Sequence, residues 1–199
     1  MTEQEKISYA LGAAIGSNYV KTNIKFDGNA LAKGFNHVIN NENLDISPNE
    51  IQMLLQKMQE DIEKQSNTSL DLEKQKGKDF LIENRKKEGV IETASGLQYK
   101  IIHQGYGKKP NENSIVEVHY HGTLLDGTVF DSSVLRKKSI EFPLNQVIAG
   151  WTEGVQLMNE GSKFEFFIPS HLAYGDQGAG ADIKGGATLK FEVELLKVK

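Results

Sequence analysis

The chain has 199 residues, no cysteine and a formal net charge of −4 at pH 7. The lack of cysteine excludes a disulfide scaffold, a thiolate zinc site and a cysteine nucleophile. The near-neutral charge argues against nucleic acid as the main partner, because proteins that bind nucleic acid favour a strongly basic face.

The N-terminal region predicts neither a membrane span nor a secretory signal. Its longest uncharged run, residues 7–20, is shorter than the ~20 residues that a helix needs to cross a bilayer. The leader at residues 2–6 is acidic, whereas a secretory signal starts with a basic leader. We therefore expect a cytoplasmic protein, or a periplasmic one if a signal peptide has been removed.

Three helix patterns follow one another in the first third of the chain. Thr2 and Glu5 form a possible capping box, and Asp27 can cap a second, shorter helix. Ser47 precedes a proline at the first helical position, with Glu50 at the third, which indicates a helix start. Apolar stripes follow these starts at helical spacing: Ile7, Leu11 and Ile15; Leu31, Phe35, Val38 and Ile39; Ile51, Leu54, Leu55, Met58 and Ile62.

The third helix pattern loses its apolar stripe after Ile62 and regains it at Phe80. A helix running without a break from Pro48 to Glu88 would be about 61 Å long, more than the width of a small domain. A helix that is polar all round in its middle either is a spacer through solvent or does not form. The favoured prediction is one continuous helix, and the alternative is a break at residues 66–69, which are weak helix formers.

Three short helices offer too little surface to bury three apolar stripes within one subunit. Gly12 and Gly16 are small residues four apart, which let another backbone approach closely. Such a motif usually packs within one subunit, but small domains often gain stability by burial against a second copy. We therefore expect a homodimer whose interface lies in residues 1–60.

Strand patterns dominate after residue 90. Val116, Val118 and Tyr120 share one face of a strand, and Asp126-Gly127 predicts a hairpin turn. Helical spacing at 147–158 predicts a cover for the sheet. The predicted fold class is α+β, with a twisted antiparallel sheet wrapped on a short helix. Further strands are expected at 98–102, 164–168 and 189–195.

Two clusters of polar residues leave alternatives open. His119 and His121 share a strand face and are either part of a metal site or solvated strand histidines, since no HExxH motif or cysteine completes a site. Asp131-Ser132-Ser133 holds either a nucleophile or turn residues, and no base is evident nearby in the sequence. The glycine-rich stretch 178–186 fits neither a dinucleotide fingerprint nor a P-loop.

A dispersed aromatic set is the remaining feature, and it forms either an ordinary core or a ligand pocket. Its members lie within motifs that resemble, in order, those of the FK506-binding (FKBP) family of peptidyl-prolyl cis-trans isomerases over about residues 95–199. The aromatic residues are Tyr120, Phe130, Phe142, Trp151, Tyr174 and Phe191, and the motifs span 118–122, 126–133, 147–154, 168–175 and 187–196.

The helical part resembles the dimerisation segment of the bacterial macrophage-infectivity-potentiator-like subfamily. In that subfamily two such segments intertwine, and a long helix holds each catalytic domain away from the dimer. The resemblance implies a helical dimerisation domain at 1–62, a spacer helix at 63–90 that continues the helix begun at 48, and an isomerase domain at 91–199.

The resemblance also implies a role for each site residue. Trp151 would form the floor of a pocket for the substrate proline, and the Ile148 N–H and the Tyr174 hydroxyl would bind substrate carbonyls. Asp131 would place a carboxylate at the rim, near the carbonyl of the bond that turns. The walls would come from Tyr120, Phe130, Val147, Ile148 and Phe191, and the further substrate-binding residues would be Phe142 and Ile183. The implied catalytic residues are Tyr120, Phe130, Asp131 and Tyr174.

The implied partners are proline-containing polypeptides and macrolides of the FK506 type, and the chemistry needs no metal or cofactor. Ile140 stands where many relatives have an aromatic residue, which thins one wall. Gly185-Gly186 replaces a Pro-Pro pair and is expected to loosen its loop. The alternative function is a protein-docking or chaperone module with little or no isomerase turnover.

Overall fold

The computed structural model describes residues 1–20, 22 and 24–199, which fall into two compact units, Met1–Asn67 and Thr68–Lys199. The predicted α+β class is confirmed, with helices first and an antiparallel sheet after them. The described helices are α1 (Glu3–Ser17), α2 (Gly28–Ile39), α3 (Pro48–Asn84) and α4 (Ala149–Val155). The described strands are β1 (Val90–Glu92), β2 (Gln98–His103), β3 (Ile115–Leu124), β4 (Val129–Ser132), β5 (Ile140–Pro143), β6 (Lys163–Ile168) and β7 (Leu189–Val198).

The first two helices begin at the side-chain caps that the sequence predicts. The Thr2 hydroxyl accepts the Glu5 N–H, while the Glu5 carboxylate accepts the Thr2 N–H at 2.6 Å. Asp27 accepts the N–H groups of Asn29 and Ala30 at 2.8 and 2.9 Å. No residue of α1 or α2, both of which are described in full, is buried. The apolar stripes of these helices are therefore accessible in the single chain.

Helix α3 is continuous through residues 66–69, where the alternative prediction puts a break. It ends at Asn84, short of the predicted end at Glu88, and turns follow. At this end the buried Asn84 amide donates a hydrogen bond to Gln98 Oε1 at 3.0 Å, a tertiary contact that helical periodicity does not reveal. Neither α3 nor any other helix in the described part of the chain is long and apolar enough to cross a membrane.

Strand β3 pairs with three other strands of the sheet in the second unit, namely β4, β5 and β7. Within the described residues the strand order is β1-β2-β6-β7-β3-β4, with β5 also paired to β3, and every pairing is antiparallel. Val116, Val118 and Tyr120 alternate along β3 and are buried, as the period-two pattern predicts. Strands β1 and β5 are absent from the sequence prediction because segments of three and four residues show too little alternation.

Helix α4 packs closely on strand β6, although it is shorter at both ends than the sequence predicts. Two of its glycines permit this approach. A Cβ at Gly154 would lie 2.7 Å from the Phe166 ring, and one at Gly150 would collide with the Ile168 side chain. The close packing fixes Trp151 of the same helix against the sheet, where its side chain is buried.

Candidate active site

A cavity of about 700 Å³ opens in the second unit where α4, strands of the sheet and the segment before β7 converge. Its lining is mostly aromatic and aliphatic, with a few polar groups. Small-molecule and peptide sites are commonly apolar concavities with few, well-placed polar groups. The cavity is therefore the candidate active site.

Trp151 forms the centre of an aromatic cluster at this cavity. Its ring centroid lies 5.4 Å from that of Tyr120, 5.5 Å from that of Phe142 and 5.1 Å from that of Phe191. Tyr120 and Phe191 meet the indole edge to face, an arrangement that ring quadrupoles favour. Tyr120, Trp151 and Phe191 belong to the buried core and also line the cavity, so both interpretations of the aromatic set hold for them.

Phe130 of β4 and Phe191 of β7 close one side of the cavity. Their rings meet edge to face with centroids 5.3 Å apart. Gly122 of β3 lies next to both rings, and a Cβ there would come within 2.8 Å of each. Glycine at this strand position therefore permits the two rings to meet.

Tyr120, Asp131 and Arg136 form a hydrogen-bonded group of side chains at the cavity. The Tyr120 hydroxyl donates to the Asp131 carboxylate, and Arg136 donates to both the carboxylate and, at 2.9 Å, the Tyr120 oxygen. Burial raises the pKa of Tyr120, and the hydrogen bond to Asp131 raises it further. Burial alone would raise the pKa of Asp131, but hydrogen bonds from Arg136 and Tyr120 outweigh it and hold that pKa below its ordinary value. Near neutral pH the group therefore contains a carboxylate and an un-ionised phenol.

Two polar groups that line the cavity are left for a ligand. The Ile148 N–H and the Tyr174 hydroxyl make no hydrogen bond to any described residue. The indole Nε1 of Trp151 is buried and also has no partner in the described chain. Ile148 directly precedes α4, and Tyr174 lies two residues after the short 3₁₀ helix at Ser170–Leu172.

The structure brings every residue that the sequence assigns to the site to this one cavity. They are Tyr120, Phe130, Asp131, Phe142, Val147, Ile148, Trp151, Tyr174, Ile183 and Phe191. Ile140, where a thinner wall is expected, lines it as well. Arg136 is a further polar residue at the site that no sequence pattern indicates, because its two hydrogen bonds depend on the turn after β4.

The two histidines of β3 lie outside the cavity, as expected. The structure corrects the expectation that Ser132 and Ser133 lack a nearby base, because His121 Nδ1 lies 2.9 Å from Ser132 Oγ and His119 Nδ1 lies 3.2 Å from Ser133 Oγ. Ser133 is nevertheless fully buried, and its Oγ accepts the Tyr120 N–H at 2.8 Å, a structural role. Among the described residues no group of three or more His, Asp or Glu could hold a metal ion.

Two family models match the chain. The first, described as "FKBP-type peptidyl-prolyl cis-trans isomerase", matches residues 107–196, which contain the cavity. The second, described as "Domain amino terminal to FKBP-type peptidyl-prolyl isomerase", matches residues 4–101. FkpA of Aeromonas hydrophila, named as an FKBP-type peptidyl-prolyl cis-trans isomerase, is 45% identical over 98% of this chain and 76% of its own length. The chain belongs to the FKBP-type peptidyl-prolyl cis-trans isomerases.

Other relatives match the whole chain too. The outer membrane protein MIP of Legionella longbeachae is 40% identical over 100% of this chain and 87% of its own length. The crystal structure of FkpA from Escherichia coli superposes with a TM-score of 0.74 and 34% identity, covering 100% of this chain and 97% of that one. The likeness therefore extends to the helical part as well as the FKBP domain.

Proposed function

We propose that the cavity of this FKBP-type isomerase binds Xaa-Pro segments of unfolded or partly folded polypeptides and that two copies act together as a homodimer. The observation that carries the first part is the aromatic cavity around Trp151, lined by the Ile148 N–H and the Tyr174 hydroxyl, which have no hydrogen-bond partner among the described residues. The ring of a proline fills such a cavity, and its neighbouring carbonyls accept from those two groups.

The catalysis follows from the electrostatics of the amide. Rotation about a peptide bond costs ~18–20 kcal/mol because the planar form is stabilised by resonance. The planar form separates charge and is well solvated by water, whereas the twisted form separates less. Apolar walls such as Phe142 and Phe191 therefore disfavour the planar state relative to the twisted one, which is differential binding of the transition state. A thousandfold acceleration requires about 4 kcal/mol.

Asp131 also disfavours the planar amide relative to the twisted one. A carboxylate near the substrate carbonyl opposes the partial negative charge that resonance puts on the oxygen of the planar amide. Its low pKa keeps Asp131 ionised, and Arg136 and Tyr120 hold it in place. The geometry thus supports a role for Asp131 at the rim beside the bond that turns.

Removal of a single hydroxyl tests the pocket. Tyr174→Phe keeps the ring and loses only the proposed bond to a substrate carbonyl, which is worth about 1 kcal/mol, so kcat/KM for a short Xaa-Pro peptide should fall about fivefold. Tyr106→Phe is the matched control, because Tyr106 is 92% exposed and lies outside the cavity. Equal activity of Tyr174→Phe and wild type would reject the proposed substrate contact.

The homodimer is supported by the apolar faces of the first unit. In α2 the side chains of Leu31, Phe35, Val38 and Ile39 are between 50% and 64% exposed, although they form one helical stripe. A stripe of this kind needs a partner, and a second copy presents the same stripe about a two-fold axis. Sedimentation equilibrium of the full chain at micromolar concentration should give a dimer. A monomer under these conditions would reject this part of the proposal.

The same exposed stripes favour a second candidate function, client binding by the helices without turnover. The full chain saturated with an FK506-type macrolide separates the two, since the macrolide occupies the pocket alone. If the helices hold clients, the blocked protein still suppresses aggregation of a refolding protein. Loss of that suppression on blocking would leave the pocket as the client-binding element.

A further inference from the structure

One wall of the cavity belongs to a segment that we call the pocket loop, residues 174–187. This loop connects the 3₁₀ helix at Ser170–Leu172 to strand β7. It contributes Tyr174, Asp182 and Ile183 to the cavity lining, and Ile183 is buried there. The position of the loop therefore sets the shape of the substrate site.

The end of the pocket loop packs against helix α3 within the second unit, which begins at Thr68. A Cβ built on Gly186 would lie 3.0 Å from the Leu70 carbonyl oxygen and 2.9 Å from Lys74 Cγ. A Cβ built on Gly185 would collide with the Asp176 carbonyl of the loop itself and would lie 3.3 Å from Leu70 Cδ1. The loop and the helix backbone thus approach more closely than side chains on the loop would permit.

A third glycine lies on the helix side of the same junction. Gly77 is buried in the interior of α3, and a Cβ there would collide with the Thr188 hydroxyl just beyond the pocket loop. Glycine inside a helix costs about 1 kcal/mol relative to alanine. The close contact between α3 and the residue that follows the loop accounts for glycine at this position.

Further bonds connect this junction to the cavity wall. Lys74 Nζ lies 2.7 Å from an Asp176 carboxylate oxygen, and the Gly186 N–H donates to the Gly175 carbonyl at 2.9 Å. The exposed ion pair contributes little by itself, so most of the restraint comes from packing. Between these anchors Ala179 and Ile183 exchange backbone hydrogen bonds at 2.9 and 3.1 Å. The loop is therefore fixed at both ends against one face of the helix.

We infer that Leu70, Lys74 and Gly77 of helix α3 are positioning residues of the isomerase, which hold the pocket loop so that Tyr174 and Ile183 meet the substrate. The inference rests on the proposed function of the cavity. It gives Gly185 and Gly186 a role in close packing, whereas the sequence alone suggests that they loosen the loop. It also implies that the catalytic unit needs the end of α3, which the sequence-based boundary at residue 91 leaves out.

The test compares two leucines of the full chain. Leu70→Ala removes the side chain that contacts Gly185, whereas Leu72→Ala makes the same change two residues on, at a side chain that is 57% exposed. In Leu70→Ala we expect amide exchange at Ala179, Ile183 and Gly186 to speed up at least about tenfold, while exchange in β3 stays unchanged. KM for a short Xaa-Pro peptide should rise about threefold or more with kcat within about twofold, since the loop supplies binding contacts.

A conservative variant distinguishes positioning from general destabilisation. Leu70→Met conserves most of the volume and should restore both KM and the slow loop exchange. Unchanged loop exchange in Leu70→Ala, faster exchange with unchanged KM, or equal effects of Leu72→Ala would each overturn the inference. A wild-type protein without prolyl isomerase activity would instead reject the proposed function, and the two failures are therefore distinguishable.

Discussion

The hydroxyl of Tyr120 donates a hydrogen bond to the carboxylate of Asp131, which lies diagonally across the β3–β4 pair, opposite Gly122. Both residues line the cavity, and Arg136 donates to both. This hydrogen bond therefore connects an aromatic residue of the cavity wall to the carboxylate at the cavity rim. The pair gives the site its directional polar group, while the rings around Trp151 supply the apolar surroundings.

Replacement of Asp131 should impair catalysis more than folding. We expect Asp131→Ala to lower kcat/KM for a short Xaa-Pro peptide at least about tenfold, because the rim carboxylate opposes charge in the planar amide. Near-UV circular dichroism should remain native, since the side chain is 43% exposed. Asp61→Ala, an exposed aspartate of α3, is the control. Full activity of Asp131→Ala would mean that the carboxylate takes no part in catalysis.

The pH dependence should follow the Asp131–Arg136 pair. Because hydrogen bonds hold the pKa of Asp131 below the ordinary ~3.9, its ionised form stabilises the fold above that pH, and the stabilisation is lost as pH falls through the folded-state pKa. Activity should therefore be flat from about pH 5 to 9. Arg136→Met removes the main bond that lowers this pKa, so the acid limb of the activity profile should move to higher pH. Identical acid limbs in the two proteins would contradict this account.

Gly122→Ala should disturb the aromatic wall without a charge or polarity change. The added methyl would come within 2.8 Å of the Phe130 and Phe191 rings, and overpacking of this kind costs about 1–3 kcal/mol. We expect a lower melting temperature and at least about a fivefold loss of kcat/KM as the rings move. Gly12→Ala, in α1 and outside the cavity lining, is the control for turnover alone. Wild-type turnover by Gly122→Ala would show that the two rings need not meet.

A charge on the α2 stripe should separate the subunits. Phe35→Glu puts a carboxylate into the proposed interface and should yield monomers at micromolar concentration, because burying an unpaired charge is costly. Turnover of a short Xaa-Pro peptide per subunit should not change, since α2 contributes nothing to the cavity lining. Asn36→Glu, the adjacent exposed residue, controls for the added charge. A dimer that survives Phe35→Glu would place the interface elsewhere.

Local signals in the sequence account for much of the fold. The capping side chains of Thr2 and Asp27 mark helix starts because a cap is a contact between neighbours in the chain. The alternation in β3 identifies a half-buried strand for the same reason. The end of α3 is predicted less well, because Asn84 bonds to Gln98, a contact set by tertiary structure.

Local signals likewise account for some residues of the candidate site, while tertiary contacts account for the others. Its aromatic and aliphatic members lie within sequence motifs that resemble the FKBP family, so they could be named before the structure. Arg136 and the serine–histidine pairs are held by contacts between segments distant in sequence, which no local pattern encodes. The packing role of Gly77, Gly185 and Gly186 depends on what a Cβ would meet, and only coordinates show that.

The proposed activity depends on one property of the cavity around Trp151, that it eases rotation of an Xaa-Pro bond. The most direct measurement follows cis-trans isomerisation of a short Xaa-Pro peptide by the full chain while an FK506-type macrolide is titrated in. We expect acceleration by the protein alone and its complete loss when each cavity holds one macrolide molecule. No acceleration, or acceleration that persists with the macrolide bound in the cavity, would contradict it.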